Sequence, residues 1–195
     1  MININIFFNS YRGLEVYKYL HSKKNIKINK IILSKKNLKQ DIINYLVKKK
    51  ITFKIISNVN TKALVVHSKK VDINLVCGFP YIFKLNLINS PKYGTLNLHG
   101  GLLPNYRGGS PLNWQIINGE KRIGFSIIKM DQNIDTGPVV KSESLKLNNN
   151  DDILKIHNKV NLKFPKLTFE AINFLYFLDN KNLKPQSELK AKYYY

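Results

Sequence analysis

The 195-residue chain predicts an α/β fold, a parallel sheet with helical crossovers, and three observations carry that prediction. Strand-like alternation and helix-like periodicity take turns along the first 56 residues, the order that builds parallel sheets. The run Val71 to Phe79, rich in Val, Ile and Leu and ending in Cys77-Gly78-Phe79, reads as a strand buried on both faces. An apolar fraction of 44% is enough for a core and argues against disorder.

The elements follow in order. Residues 2–8 alternate as a first strand. Asn9 or Ser10 is placed to cap a helix over 11–22, whose apolar positions are Leu14, Val16, Tyr17 and Leu20. Ile26 to Leu33 alternates again. Residues 37–50 form a basic amphipathic helix, and 51–56 a third strand. A short helix is expected within 58–70, a strand over 71–79, a short helix over 82–88 and a strand over 94–99. A loop rich in Gly and Pro leads to a helix over 112–117, then strands over 123–130 and 139–147. Asp151 and Asp152 sit where a helix N-terminus favours acids. The helical stretch that follows runs to about 178 and holds Pro165, so a kink or two helices is expected. One domain over 1–180 and a polar tail over 181–195 complete the division.

Composition narrows the function classes. No run of about 18 apolar residues is present, so no membrane span is expected. The N-terminus carries no basic leader followed by a long apolar run, so it does not read as a signal peptide. Cys77 is the single cysteine, which fits a reducing, cytoplasmic setting. Neither a Cys/His cluster nor an H-E-x-x-H occurs, so no metal is expected. The net charge of +20 invites a nucleic-acid reading. Against it, 29 of the 32 basic residues are Lys, and Arg, the better phosphate fork, is scarce. The charge is also uneven: residues 1–80 hold 16 basic and 3 acidic residues, and residues 95–140 hold 4 and 3. A solvated Lys-rich surface accounts for that pattern, and an anionic ligand or RNA remains the alternative.

The chemistry concentrates between Thr95 and Val140. An apolar strand ends on Asn97 and His99, two apart and therefore on one face. The loop after it carries Tyr106 and Arg107, and Asp135 follows a later strand. In open α/β sheets ligands bind beyond the carboxyl ends of strands, where Gly78 and His99 both fall. A His can move protons, a carboxylate can orient it, and an Asn amide can donate to a developing oxyanion. The three suit acyl transfer through a tetrahedral intermediate. No Ser or Cys stands in a nucleophile-elbow pattern, so the nucleophile belongs to the substrate. Each element alone has a structural explanation: Asp-Thr-Gly can be an Asx turn, and a single His beside a strand can be packing.

Taken together, Asn97-x-His99, Leu102-Leu103-Pro104-x-Tyr106-Arg107-Gly108, Pro111, Trp114, Asp131 and Asp135-Thr136-Gly137 resemble the signature of the folate-dependent formyltransferases. The motif match covers about 45 residues. The resemblance implies a Rossmann-like, mostly parallel sheet with helices on both faces and a 10-formyltetrahydrofolate donor. It implies catalytic roles for Asn97, His99 and Asp135. It implies that the pterin lies against Gly78, Phe79, Tyr81 and Ile82 and against the loop holding Asp131 and Ile134. Tyr106 and Arg107 are expected to meet the acceptor. The family often has Ser where this chain has Gly101, which removes a hydroxyl.

For the acceptor, the resemblance implies an amine, and among the family's branches that of a nucleotide-linked amino sugar fits this chain best. Methionyl-tRNA formyltransferases usually carry a further C-terminal domain, for which this chain leaves little length, so tRNA ranks second. Glycinamide ribonucleotide is a third acceptor, and a basic RNA-binding α/β domain is the non-enzyme reading. A homodimer remains open.

Overall fold

The computed structural model of the chain describes residues 1–148, 150–177 and 183–195. It falls into two compact units, Met1–Leu96 and Asn97–Tyr195. The expected boundary between domain and tail, at 180/181, lies outside the described residues.

The first unit begins with β1 (Ile2–Phe8), α1 (Tyr11–His21), β2 (Ile26–Ser34), α2 (Gln40–Lys48), β3 (Lys54–Ile56) and α3 (Lys62–Ser68). β4 (Ile73–Cys77), α4 (Leu85–Ile88) and the start of β5 (Thr95–His99) complete it. Its strands lie in the order β3-β2-β1-β4-β5. β1 pairs in parallel with β2 and β4, and β2 pairs in parallel with β3. The expected α/β order therefore stands, and the sheet is mostly parallel. Ser10 caps α1 by accepting from the Gly13 amide, and Thr61 caps α3 by accepting from the Leu64 amide.

Asn5, in the middle of β1, does not face water. Asn5 and Asn74 are fully buried and share a hydrogen bond of 3.1 Å. Asn74 also donates to Ser68 and Asn29 donates to Asn5, so the amides form a satisfied ladder across the sheet. Two expected ranges contract for local reasons. α2 begins at Gln40 rather than 37 because Asn37 adopts φ 52, outside helical space. β3 keeps only the three residues that pair with Ile32–Ser34.

The second unit holds the end of β5, then β6 (Arg107–Gly108), α5 (Pro111–Ile117), β7 (Arg122–Lys129), β8 (Val139–Lys146), α6 (Ile153–Phe177) and β9 (Tyr193–Tyr194). Its main strands run β5-β7-β8, with β7 and β8 antiparallel. α6 is one 25-residue helix, not two, with Pro165 inside it. Pro165 removes one backbone donor. The helix persists because residues on both sides of the proline are anchored: Ile156, Val160 and Phe164 before it, and Leu167, Ala171, Ile172 and Leu175 after it, are all buried. The Asp152 carboxylate accepts from the Lys155 amide at 2.8 Å, the cap that the acid pair predicts.

Candidate active site

β5 positions the first two residues. Leu96 and Leu98 point into packing, while Asn97 is half-buried and His99 is 5% exposed. The backbone just after His99 is pinned by two polar side chains. Gln115, on α5, donates to the Gly100 carbonyl at 3.0 Å and accepts from the Gly124 amide at 2.7 Å. Ser126, in the middle of β7, donates to the Gly101 carbonyl at 2.8 Å. Both are buried, so both bonds act where an unpaired group is costly.

His99 is engaged on both ring nitrogens. Nδ1 faces Asp135 Oδ2 at 3.4 Å, and Nε2 lies 2.5 Å from the Tyr106 carbonyl oxygen. Both neighbours are acceptors, so a ring protonated on both nitrogens satisfies both and a neutral ring satisfies one. Gly101 makes this possible. A Cβ there would stand 2.5 Å from the Tyr106 carbonyl and 2.7 Å from His99 Nε2. The space a serine would occupy is therefore filled by the backbone of Tyr106, beside His99.

Asp135 adopts φ 57, a left-handed conformation uncommon outside glycine and of the kind that gathers at functional sites. Its carboxylate accepts from the Gly108 amide at 3.0 Å. Its own loop is braced by Asp131, which accepts from Thr136 Oγ1 at 2.6 Å and from the Asn133 amide at 3.2 Å. Ile134 is exposed on the same loop.

Tyr106 and Arg107 are placed differently from the expectation that they face a ligand. Both are buried. The Tyr106 hydroxyl donates to Glu120 at 2.5 Å, and its ring stacks on Tyr194 with centroids 5.2 Å apart. The Arg107 guanidinium is fully buried and forks onto Glu188 at 2.7 and 3.0 Å, with further bonds to Gln186 and Tyr193. Glu188 raises the pKa of Arg107 above its ordinary value, and Arg107 holds Glu188 below the usual carboxylate range. Behind this contact β9 pairs in parallel with β6. Tyr194 also covers Trp114, at 5.2 Å between centroids. Tyr193 and Tyr194 are thus part of this unit's packing, while Tyr195 is exposed.

In the first unit, Gly78 follows β4 at φ 64, and a Cβ there would meet Ser10 Oγ at 2.9 Å. Phe79 and Tyr81 are half-buried and Ile82 is 75% exposed, an open apolar segment before α4. The Cys77 thiol is buried, and that burial pushes its pKa up. Among the described residues no group of three or more His, Cys, Asp or Glu could hold a metal ion. No described helix is long and apolar enough to cross a membrane.

The sequence reading did not single out Gln115, Ser126, Gln186 or Glu188. A signal existed for the first two, which are polar residues at apolar-facing positions of α5 and β7. None existed for the others, whose side-chain partners lie 49 or more residues away.

The structure brings His99 and Asp135 together at the carboxyl end of β5, the strand that also carries Asn97. Residues 25–172 match the family model for formyl transferase, and the chain belongs to that family. In sequence it is 38% identical to the methionyl-tRNA formyltransferase of Clostridium tetani over 104 residues, 53% of this chain and 34% of that protein. The chain thus spans about a third of the length of such relatives. In structure it resembles a sugar N-formyltransferase from Shewanella sp (TM-score 0.77, 21% identity, 100% of this chain and 76% of that one). It also resembles the phosphoribosylglycinamide formyltransferase of Bacillus halodurans (TM-score 0.74, 18% identity, 93% of this chain and 100% of that one).

Proposed function

We propose that this chain moves a formyl group from 10-formyltetrahydrofolate to an acceptor amine. The observation that carries the reading is His99 held between Asp135 and the Tyr106 carbonyl, with Asn97 on the same strand face. The amine nitrogen attacks the formyl carbon, and the carbonyl π pair moves to oxygen. The Asn97 amide and a protonated His99 stabilise that oxyanion. As the intermediate collapses, the bond to N10 of tetrahydrofolate breaks with its electron pair. N10 gains a proton and the amine loses one. Asp135 orients His99 and balances its charge through this exchange. The Tyr106 carbonyl must yield Nε2 for that nitrogen to reach the formyl oxygen. Gly78, Phe79, Tyr81 and Ile82 are proposed for the pterin, as are Asp131 and Ile134. The burial of Arg107 makes its role one of support for the loop rather than direct contact with an anionic acceptor.

The acceptor we assign is the amine of a nucleotide-linked amino sugar, the reading suggested by the loop sequence. Methionyl-tRNA is the second reading, favoured by the sequence relatives, which are 32 to 38% identical to this chain. The test is release of tetrahydrofolate from 10-formyltetrahydrofolate in the presence of single acceptors: dTDP- and UDP-linked amino sugars, methionyl-tRNA and glycinamide ribonucleotide. Release that requires a sugar nucleotide supports the assignment. Release with methionyl-tRNA alone overturns it in favour of the second reading, and donor binding without release for any acceptor overturns both.

A further inference from the structure

Asp135 is gripped from two sides, and both grips lead to the same segment near the end of the chain. At the backbone, the Gln186 amide nitrogen donates to the Asp135 carbonyl at 2.9 Å and to the Gly137 carbonyl at 2.7 Å. At the side chain, the Gly108 amide donates to Asp135 Oδ2 at 3.0 Å. Gly108 is fixed in turn by the segment. The Arg107 amide donates to the Lys192 carbonyl, the Gly109 amide donates to the Tyr194 carbonyl, and the Lys192 amide donates to the Pro104 carbonyl. Arg107 joins the two grips, because its Nε and Nη2 donate to Gln186 Oε1 at 3.2 and 3.1 Å.

The Gln186 side chain is therefore saturated: both amide protons go to the Asp135 loop and the oxygen goes to Arg107. That arrangement does more than fill space. Asp135 holds a left-handed conformation, which persists only where the surroundings over-determine it. Its carbonyl is tied by Gln186 and its carboxylate by Gly108, so the peptide cannot rotate without breaking one or the other. The carboxylate stands 3.4 Å from His99, and a small rotation at Asp135 would remove it from reach.

We infer that Gln186 is a positioning residue, which acts through Asp135 to hold its carboxylate on His99, with Arg107 and Glu188 keeping Gln186 in place. The inference rests on the proposed roles of His99 and Asp135. Gln186 touches no reacting atom; its effect passes through the orientation of the carboxylate. A misplacement of about 1 Å at a reacting pair can lower turnover by about a hundredfold.

The experiment compares wild type, Gln186→Ala, Gln186→Glu, Asp135→Asn and the double variant Gln186→Ala/Asp135→Asn. Formyl transfer and amide exchange at Gly108 are both read, after the melting temperature of each variant has shown that it folds. Gln186→Glu keeps the oxygen that accepts from Arg107 and removes the amide donors. We expect kcat to fall about ten- to a hundredfold in both single Gln186 variants, with KM for the donor changed less than about twofold. In the Asp135→Asn background, Gln186→Ala should cost nothing further, because the two changes break one connection. Exchange at Gly108 should accelerate in both Gln186 variants.

Full activity in Gln186→Glu, or equal losses with and without the Asp135 carboxylate, overturns the inference. A rise in kcat also overturns it and makes the segment a brake that keeps the Tyr106 carbonyl on His99. If wild type transfers no formyl group to any acceptor, the functional reading fails instead. Exchange at Gly108 then decides the positional claim alone: acceleration in the variants keeps it, and unchanged exchange removes it.

Discussion

Each compact unit is stabilised from within, and the contacts that do so differ between the two. In the first, neighbouring parallel strands and the helices between them bury a continuous apolar set, including Ile4, Ile6, Ile32, Leu33, Ile73 and Leu75. Its polar ladder from Asn29 through Asn5 and Asn74 to Ser68 links strands already paired in the sheet or the helix beside them. In the second unit, side-chain hydrogen bonds tie loops to residues far along the chain. Gln115 and Ser126 hold the turn after His99, and Gln186 and Glu188 hold Asp135 and Arg107. The difference teaches that the second unit, which also buries an apolar core, adds particular long-range partners at the loops that carry His99, Arg107 and Asp135. Substitutions should therefore act on stability in the first and on turnover in the second.

The largest stability effect should come from the first unit. Ile4 is fully buried in β1, where its register partners are Ile28 and Ile73. Replacing it by Ala should cost about 2–5 kcal/mol in urea unfolding through lost transfer energy and a residual cavity. Turnover per folded molecule should stay at the wild-type value. An equal fall in kcat at temperatures where the variant is folded would break the comparison.

Gly101→Ser should give the opposite signature. The new Cβ would have to displace the Tyr106 carbonyl or the His99 ring. A stability loss of about 1–3 kcal/mol is expected from overpacking. Turnover should fall by more than that loss explains, because His99 itself is moved. Wild-type kinetics in this variant would show that the loop gives way freely and that the close contact has no bearing on the site.

The smallest effect concerns pH. Arg107 holds the Glu188 carboxyl below its ordinary range, so the folded state binds fewer protons than the unfolded state near that range. The contact is fully present above about pH 4.3, the ordinary Glu value. It weakens as pH falls through the lowered folded value. Glu188 is 73% exposed, so the contribution is screened and small. The protection factor of the Arg107 amide, whose bond to Lys192 depends on the segment staying docked, should decline through that acid window. In Glu188→Gln it should be lower and flat. A wild-type protection factor that does not change with acid would remove Arg107–Glu188 from the account of how the segment is held.

The sequence was most legible where structure is set by near neighbours. Helix α1 with its Ser10 cap and the buried β4 follow from local period and cap chemistry. The cluster of Asn97, His99 and Asp135 was legible as residue types, and the structure brings His99 and Asp135 together. Local reading failed where distant packing decides. Pro165 sits inside a continuous helix because buried residues on both sides hold it, which no window around the proline reveals. Arg107 was expected to meet the acceptor, and its burial was not legible because its partners, Gln186 and Glu188, lie 79 and 81 residues away. The tyrosines at the chain end carried no local signal, and a strand pairing with β6 fixes two of them.

The most direct measurement is single-turnover formyl transfer by His99→Ala, with the acceptor that wild type uses and with folding confirmed by circular dichroism. The account predicts a loss of about a hundredfold to ten-thousandfold in the rate of the chemical step, the usual contribution of a positioned acid–base group, with donor binding retained. A His99→Ala variant that transfers formyl at the wild-type rate would contradict the central claim that this histidine, held between Asp135 and the Tyr106 carbonyl, carries the chemistry.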